Sequence, residues 1–280
     1  MADASSPSAR GAGDSAPDEP GSGTPTEAPS GDGRPTAAGR VLAVLDAFDA
    51  GHLVLSLTDI SRRAGLTLST AHRLVRELRD WGALERRADG YYAIGMRILE
   101  LGSLEPKGLQ LREAALPYLG DLHSAVDSDV HLSVMAGTDV VYVESLRSRH
   151  GAPVLTRLGG RWPLHATATG LILLAHAPDE LREHILAEPL QAYTARTITD
   201  PERLRSTLSD VRSSGHSFVD ESITVGAVAL AVPVRDRRNR VVAAVGVALR
   251  RGSVDPQSVL PALTMTGHAI SRALGAPPTR

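Results

Sequence analysis

The stretch WPLHATATGLILLAH, Trp162 to His176, sets a histidine and two threonines, His165, Thr167 and Thr169, within five residues of one another. A threonine hydroxyl becomes a nucleophile when an imidazole takes its proton and a carboxylate orients that imidazole. Asp220 or Glu221 could supply the carboxylate and Ser222 a competing hydroxyl. Their spacing does not select that arrangement. The chain also lacks a G-x-S-x-G elbow, an H-E-x-x-H pair, a Gly-Lys-Ser/Thr phosphate loop and a G-x-G-x-x-G turn after a strand. With no cysteine, thiol nucleophiles, disulfides and thiolate metal sites are excluded. The ten histidines form no ligand pair at helical spacing, His123 and His131 being only loose candidates. The residues therefore predict no enzyme, no metal and no cofactor.

A second group of residues suits a different chemistry. In AGLTLSTAHRLVRELRDWGAL, helical spacing buries Ala71, Leu74, Val75 and Leu78 and turns Ser69, Thr70, His72, Arg73, Arg76 and Arg79 outward. Hydroxyls and free amides at a helix start can meet phosphates or base edges, and arginine can hold guanine through two hydrogen bonds. Between residues 56 and 97 there are eight arginines against five acids, focused on this helix and on Arg86-Arg87 just after it. Such a face predicts contact with double-stranded DNA.

The elements that position these residues follow from the apolar pattern. Val41, Leu42, Val44, Leu45 and Phe48 predict a first helix from Arg40, closed by Gly51. Ser56 and Asp59 are placed to form a capping box on a second, ended by Gly65. Thr67 caps the third, with Gly82 just past its end. LERRADGYYAI then predicts a hairpin at Asp89-Gly90, where both positions accept positive φ. Three short helices and a hairpin describe a winged helix-turn-helix, and GMRILELGSL a further helix leading away from it.

Pro106-Lys107-Gly108 reads as a break before a second domain. That domain opens with an amphipathic segment over 109–124, interrupted at Pro117. HLSVMAG, DVVYVESL, GAVALAVPVRD and RVVAAVGVAL read as strands paired in hairpins, with helices expected near 179–187, 200–214 and 255–274. The expected class is α+β with an antiparallel sheet. The expected division is a disordered acidic tail over 1–39, a DNA-binding domain with its linker helix over 40–104, and a second domain over 105–280.

The tail carries six acids against two arginines, so the chain's −2 leaves the remaining residues at +2, which does not oppose a nucleic-acid partner. With no apolar stretch long enough for a membrane span and no secretory h-region, the expectation is a cytoplasmic protein without a membrane partner.

Taken in order, LTDISRRAGLTLSTAHRLVRELRDWGAL, YYAIGMRILELG, GGRWPLHATATGLILLA, RSSGHSFVDES and the pair GAVALAVPVRD and RVVAAVGVAL resemble the IclR family of bacterial transcriptional regulators over about residues 40–275. The resemblance implies a winged helix-turn-helix joined by a helix to a GAF-like effector domain. It also implies a homodimer or homotetramer on a palindromic operator, with a small organic acid as effector and either sign of regulation. Thr67, Ser69, Thr70, His72, Arg73, Arg76, Arg86 and Arg87 are then the expected DNA contacts.

The expected effector pocket gathers the 165–170 loop, namely His165, Ala166, Thr167, Ala168, Thr169 and Gly170, where free helix amides and partial positive charge suit a carboxylate. By resemblance Asp220, Glu221, Gly226, Ala227, Ala229, Val245 and Val247 complete it, with Val154 and Trp162 as apolar walls. A helix cap with a buried histidine would use the same His165, Thr167 and Thr169, and the sequence leaves both readings open. Two departures stand out. Leu171 follows Gly170 where the family commonly has lysine, and Ala229, Val245 and Val247 stand where pockets for very small acids carry cysteine or serine. Fewer polar partners predict a larger, more apolar effector than a two- or three-carbon acid. The competing class is an architectural DNA-binding module whose second domain only oligomerises.

Overall fold

The computed structural model describes residues 36–49, 51–154 and 158–278. Most of the expected acidic tail, residues 1–35, lies outside them. The first helix starts earlier than the apolar pattern indicates. α1 spans Ala37–Asp46, because the Thr36 hydroxyl accepts the Gly39 N–H and so caps it. α2, Leu57–Arg63, carries the predicted box: Asp59 N–H donates to the Ser56 hydroxyl, which donates to the Asp59 carboxylate. α3, Leu68–Trp81, is capped by Thr67 and stopped by Gly82 at φ 90°. Together with β1 (Val54–Leu55), β2 (Leu84–Arg86) and β3 (Tyr92–Ile94), paired antiparallel in the order β1-β3-β2, these helices close a core around Val44, Ile60, Leu74, Val75 and Leu84.

The wing turn differs from the expectation. Only Gly90 has positive φ, at 86°. Asp89 instead accepts the Tyr91 N–H and an Arg87 Nε–H through its carboxylate, so the turn is held by a side chain and one glycine. β3 leads into α4, Met96–Gly102, across a backbone contact: a Cβ on Gly95 would lie 2.3 Å from the Gly82 carbonyl oxygen. The Arg97 guanidinium lies 5.5 Å from the centre of the Trp81 ring, a cation–π contact that fixes the start of α4 against the end of α3.

α4 ends at Gly102, and Pro106 is the first residue of α5, Pro106–Val126, so the chain changes helix just before the expected break. A proline at that position gives up only an N–H that has no helical partner. The helix also continues through Pro117, where the lost hydrogen bond is outweighed by packing of Leu111, Ala115, Leu119 and Leu122 in the core.

The rest of the described chain is a six-stranded antiparallel sheet in the order β6-β5-β4-β9-β8-β7: β4 Asp129–Ala136, β5 Asp139–Leu146, β6 Arg161–Pro163, β7 Ser217–Asp220, β8 Ala227–Arg235 and β9 Val241–Arg250. The short strands β1, β6 and β7 carry too little alternation to be read from sequence. α5 and α9 (Pro256–Ala273) cover one face. α6 (Ala168–Ala175), α7 (Asp179–Ala187) and α8 (Pro201–Ser214) cover the other.

Side-chain size separates the two faces. Val228, Leu230, Val232, Val245, Val247 and Leu249 point to α5 and α9, whereas Ala229, Ala231, Ala244, Gly246 and Ala248 alternate with them and face α6. Large residues fill one layer, and small residues leave room in the other.

Candidate functional site

On α3 the buried stripe is Ala71, Leu74, Val75 and Leu78, and Thr67, Ser69, His72, Arg73 and Arg76 are exposed, with Thr70 half-buried. The Thr67 hydroxyl accepts the Thr70 N–H and donates to the Thr70 hydroxyl, so both stiffen the first turn. Arg73 pairs with Glu77 at 2.7 Å and Arg76 lies 3.9 Å from Asp80, in both cases one turn on and in solvent. Exposed pairs of this kind contribute about 0.3–0.5 kcal/mol, which a phosphate or guanine readily exceeds. Arg86 and Arg87 are exposed on the wing, Arg87 beside Asp89. Leu68, 51% exposed at the tip of α3, went unnoticed in the sequence; an apolar side chain there can meet a thymine methyl. Arg63, by contrast, is structural: it donates to the Ala47 carbonyl and pairs with Asp49.

The second site is a cavity of about 60 Å³ between the small-residue face of the sheet, the start of α6 and the turn after β7. Val154, Trp162, Ala166, Thr167, Ala168, Ala227 and Ala229 line it, among the residues expected there. His131 and Tyr142, from β4 and β5, line it too, as do Val219, Ser222, Ile223, Thr224 and Ala248. Of this second group, sequence reasoning reached only Val219 and Ser222, as part of the VDES segment around Asp220 and Glu221. The small–large alternation in GAVALAVPV and VVAAVGVAL was the available signal, since it marks which face has space.

Val245 and Val247 must be reassigned. They lie on the opposite face of the sheet, in the core beneath α5 and α9. Strand side chains alternate, so the pocket-facing positions are one residue away, at Gly246 and Ala248. Leu171 is also core, fully buried within α6, so it says nothing about the ligand. Gly170 does not make room for a ligand either: a Cβ there would lie 2.3 Å from the Leu164 carbonyl oxygen.

The loop hydroxyls are occupied. Thr167 caps α6 by accepting the Gly170 N–H at 3.0 Å. The Thr169 hydroxyl accepts from the Ser133 hydroxyl at 3.2 Å. His165 stands behind the cavity with its Nε2 3.0 Å from the Gln191 carbonyl, and burial lowers its pKa, only partly offset by that hydrogen bond. Asp220 and Glu221 do not reach the cavity. Asp220 pairs with Arg196 and Arg251, while Glu221 pairs with Arg196 and accepts the Gly226 N–H. Glu221 takes a left-handed φ of 53°, held by those contacts, so the two acids and Gly226 shape the turn that carries Ser222, Ile223 and Thr224. The arrangement of His165 with Asp220 or Glu221 and a threonine hydroxyl therefore does not form.

The pocket's polar end is built from β4 and β5. His131 is 3% exposed, its ring is edge-on to Tyr142 at 5.0 Å, and its Nδ1 has no hydrogen-bond partner. Burial lowers its pKa from 6.5 to about 4. Tyr142 is pushed upward by burial. Both are neutral at physiological pH.

The comparisons agree with this architecture. Residues 37–88 match the IclR helix-turn-helix domain, and residues 106–272 match the bacterial transcriptional regulator IclR C-terminal domain. The chain is 32% identical over 243 residues to the HTH-type transcriptional regulator XynR of Escherichia coli, covering 85% of this chain and 96% of that protein. It is also 32% identical over 244 residues to the glycerol operon regulatory protein of Streptomyces coelicolor, covering 85% and 95%. Among solved structures, an IclR homologue from Microbacterium hydrocarbonoxydans complexed with 4-hydroxybenzoate superposes with a TM-score of 0.79 at 35% identity, over 84% of this chain and 97% of that one. These relatives are regulators and not enzymes, and the chain belongs to the IclR family of bacterial transcriptional regulators.

Proposed function

We propose that the chain is a ligand-responsive regulator that binds a palindromic operator in the cytoplasm as a homodimer or a pair of dimers. Thr67, Ser69, Thr70, His72, Arg73 and Arg76 enter the major groove, and Arg86 and Arg87 hold the flanking backbone. The effector occupies the cavity, with its carboxylate toward the N-terminal turn of α6 and its body against Val154, Trp162 and the alanines of β8 and β9. The observation that carries this reading is a largely apolar cavity bounded by the start of a helix, in a chain whose other domain exposes an arginine-bearing helix.

The largely apolar lining favours a monocyclic carboxylic acid, the class to which the 4-hydroxybenzoate bound by the Microbacterium homologue belongs. A buried cavity that takes benzene measures about 150 Å³, so a ring must push the present walls apart. Such widening gives a ligand the differential affinity for two states that a signal requires. The homodimer is supported by α4, which exposes Met96 and Leu99 and leads to exposed Leu104.

The test is in vitro selection of random duplex DNA on the full chain. Enrichment of two inverted half-sites, lost with Arg73→Ala, supports the reading; enrichment of no sequence contradicts it.

A further inference from the structure

Deeper than the effector class is the question of which atom of the pocket distinguishes one acid from another, and the answer rests on the effector reading above. We infer that His131 is a specificity-determining residue: its imidazole, which lines the cavity and makes no hydrogen bond to the described residues, reads a hydroxyl on the ligand, so that the pocket prefers hydroxylated ring acids to bare ones.

Three observations support this. First, the histidine finds no partner among the polar groups around it. Ser133 donates to Thr169, whereas the His131 imidazole makes no hydrogen bond to the described residues and its Nδ1 is fully enclosed. Second, the imidazole has been given its place. His131 is opposite Gly246 in the β4–β9 register, and a Cβ at 246 would lie 2.6 Å from His131 Nε2 and 2.9 Å from Thr169 Cγ2. Only glycine leaves room for the ring.

Third, a buried polar atom without a partner destabilises the empty fold, so a leucine of similar volume would suit the core better. A group kept against stability is commonly a functional one.

The chemistry follows from the neutral ring. A neutral imidazole carries one donor and one acceptor, so it accepts a hydrogen bond from a ligand O–H, or donates one to a ligand oxygen, without forming an ion pair. With the carboxylate at the start of α6, the ligand is bifunctional: an acid at one end and a hydroxyl at the other. A ring acid lacking the hydroxyl leaves the imidazole unpartnered and loses affinity accordingly.

The experiment is calorimetry on the full chain with two probes, 4-hydroxybenzoate and benzoate, which share ring and carboxylate, using the wild type, His131→Asn and His131→Leu. The wild type should prefer 4-hydroxybenzoate by about tenfold or more. His131→Asn, which keeps a polar atom near the Nδ1 position, should retain most of that preference. His131→Leu should bind both acids within about twofold of each other and melt at or above the wild-type temperature. A wild type that does not discriminate, a leucine variant that still does, or a leucine variant whose melting temperature falls would each overturn the assignment. If neither acid binds the wild type, or both still bind Ala248→Leu, whose side chain fills the cavity, the effector reading itself is overturned and this inference with it.

Discussion

His131 shows how burial sets both charge and stability at one residue. In the unfolded chain its pKa is about 6.5, and in the fold it is about 4. The folded form therefore favours the neutral ring. The associated stability is complete above pH 6.5 and is lost as the pH falls through about 4, a difference of order 3 kcal/mol. Urea unfolding of the wild type and His131→Leu at pH 7.5 and pH 4.5 should show the wild type losing more stability on acidification. Other groups, including Asp129, whose pKa burial raises, titrate in both proteins, so the difference between them isolates His131. Parallel losses in the two proteins would contradict the burial argument. On α3, Arg73→Ala should change folding stability by less than about 0.5 kcal/mol, because its partner Glu77 is equally exposed. In gel-shift titrations it should weaken operator binding and lower the slope of log affinity against log salt by about 1. An unchanged slope would remove Arg73 from the interface.

At the scale of elements, close backbone approaches fix the positions on which both sites depend. Gly246→Ala would press on His131 and Thr169, and it should cost about 1–3 kcal/mol in chemical denaturation and weaken effector binding. Gly95→Ala would meet the Gly82 carbonyl at the junction of wing and α4 and should cost about 2–4 kcal/mol. Full stability in either variant would show that the junction yields.

Elements with strong periodicity and caps were legible in the sequence: α3 from its apolar stripe between Thr67 and Gly82, and α2 from Ser56 and Asp59. The strand facing of β9 was carried only by side-chain size, because VVAAVGVAL is apolar on both faces and hydrophobicity alone cannot say which residues face the pocket. The turn after β7 defeated the reading of Asp220 and Glu221 for another reason. Their partners, Arg196 and Arg251, come from distant parts of the chain. His131 Nδ1 could be recognised as unpartnered only once all its neighbours were in place.

For the whole molecule, regulation requires that the cavity and α3 belong to one equilibrium. The apolar residues exposed on and after α4 join the two ends of that problem, since a dimer formed there would set the spacing of two recognition helices on DNA. Leu99→Glu should shift light-scattering mass toward the monomer and reduce operator affinity, and an unchanged mass would place the dimer contact elsewhere.

The most direct test of the central claim is the affinity of the full chain for a selected operator, measured by fluorescence anisotropy across concentrations of a ring acid that binds by calorimetry. Coupling is reciprocal, so an acid that occupies the cavity in one state must change DNA affinity by the same factor by which DNA changes acid affinity. The account predicts a shift of about fivefold or more in the wild type and none in Ala248→Leu. An operator affinity that stays constant while the acid saturates its site would contradict it.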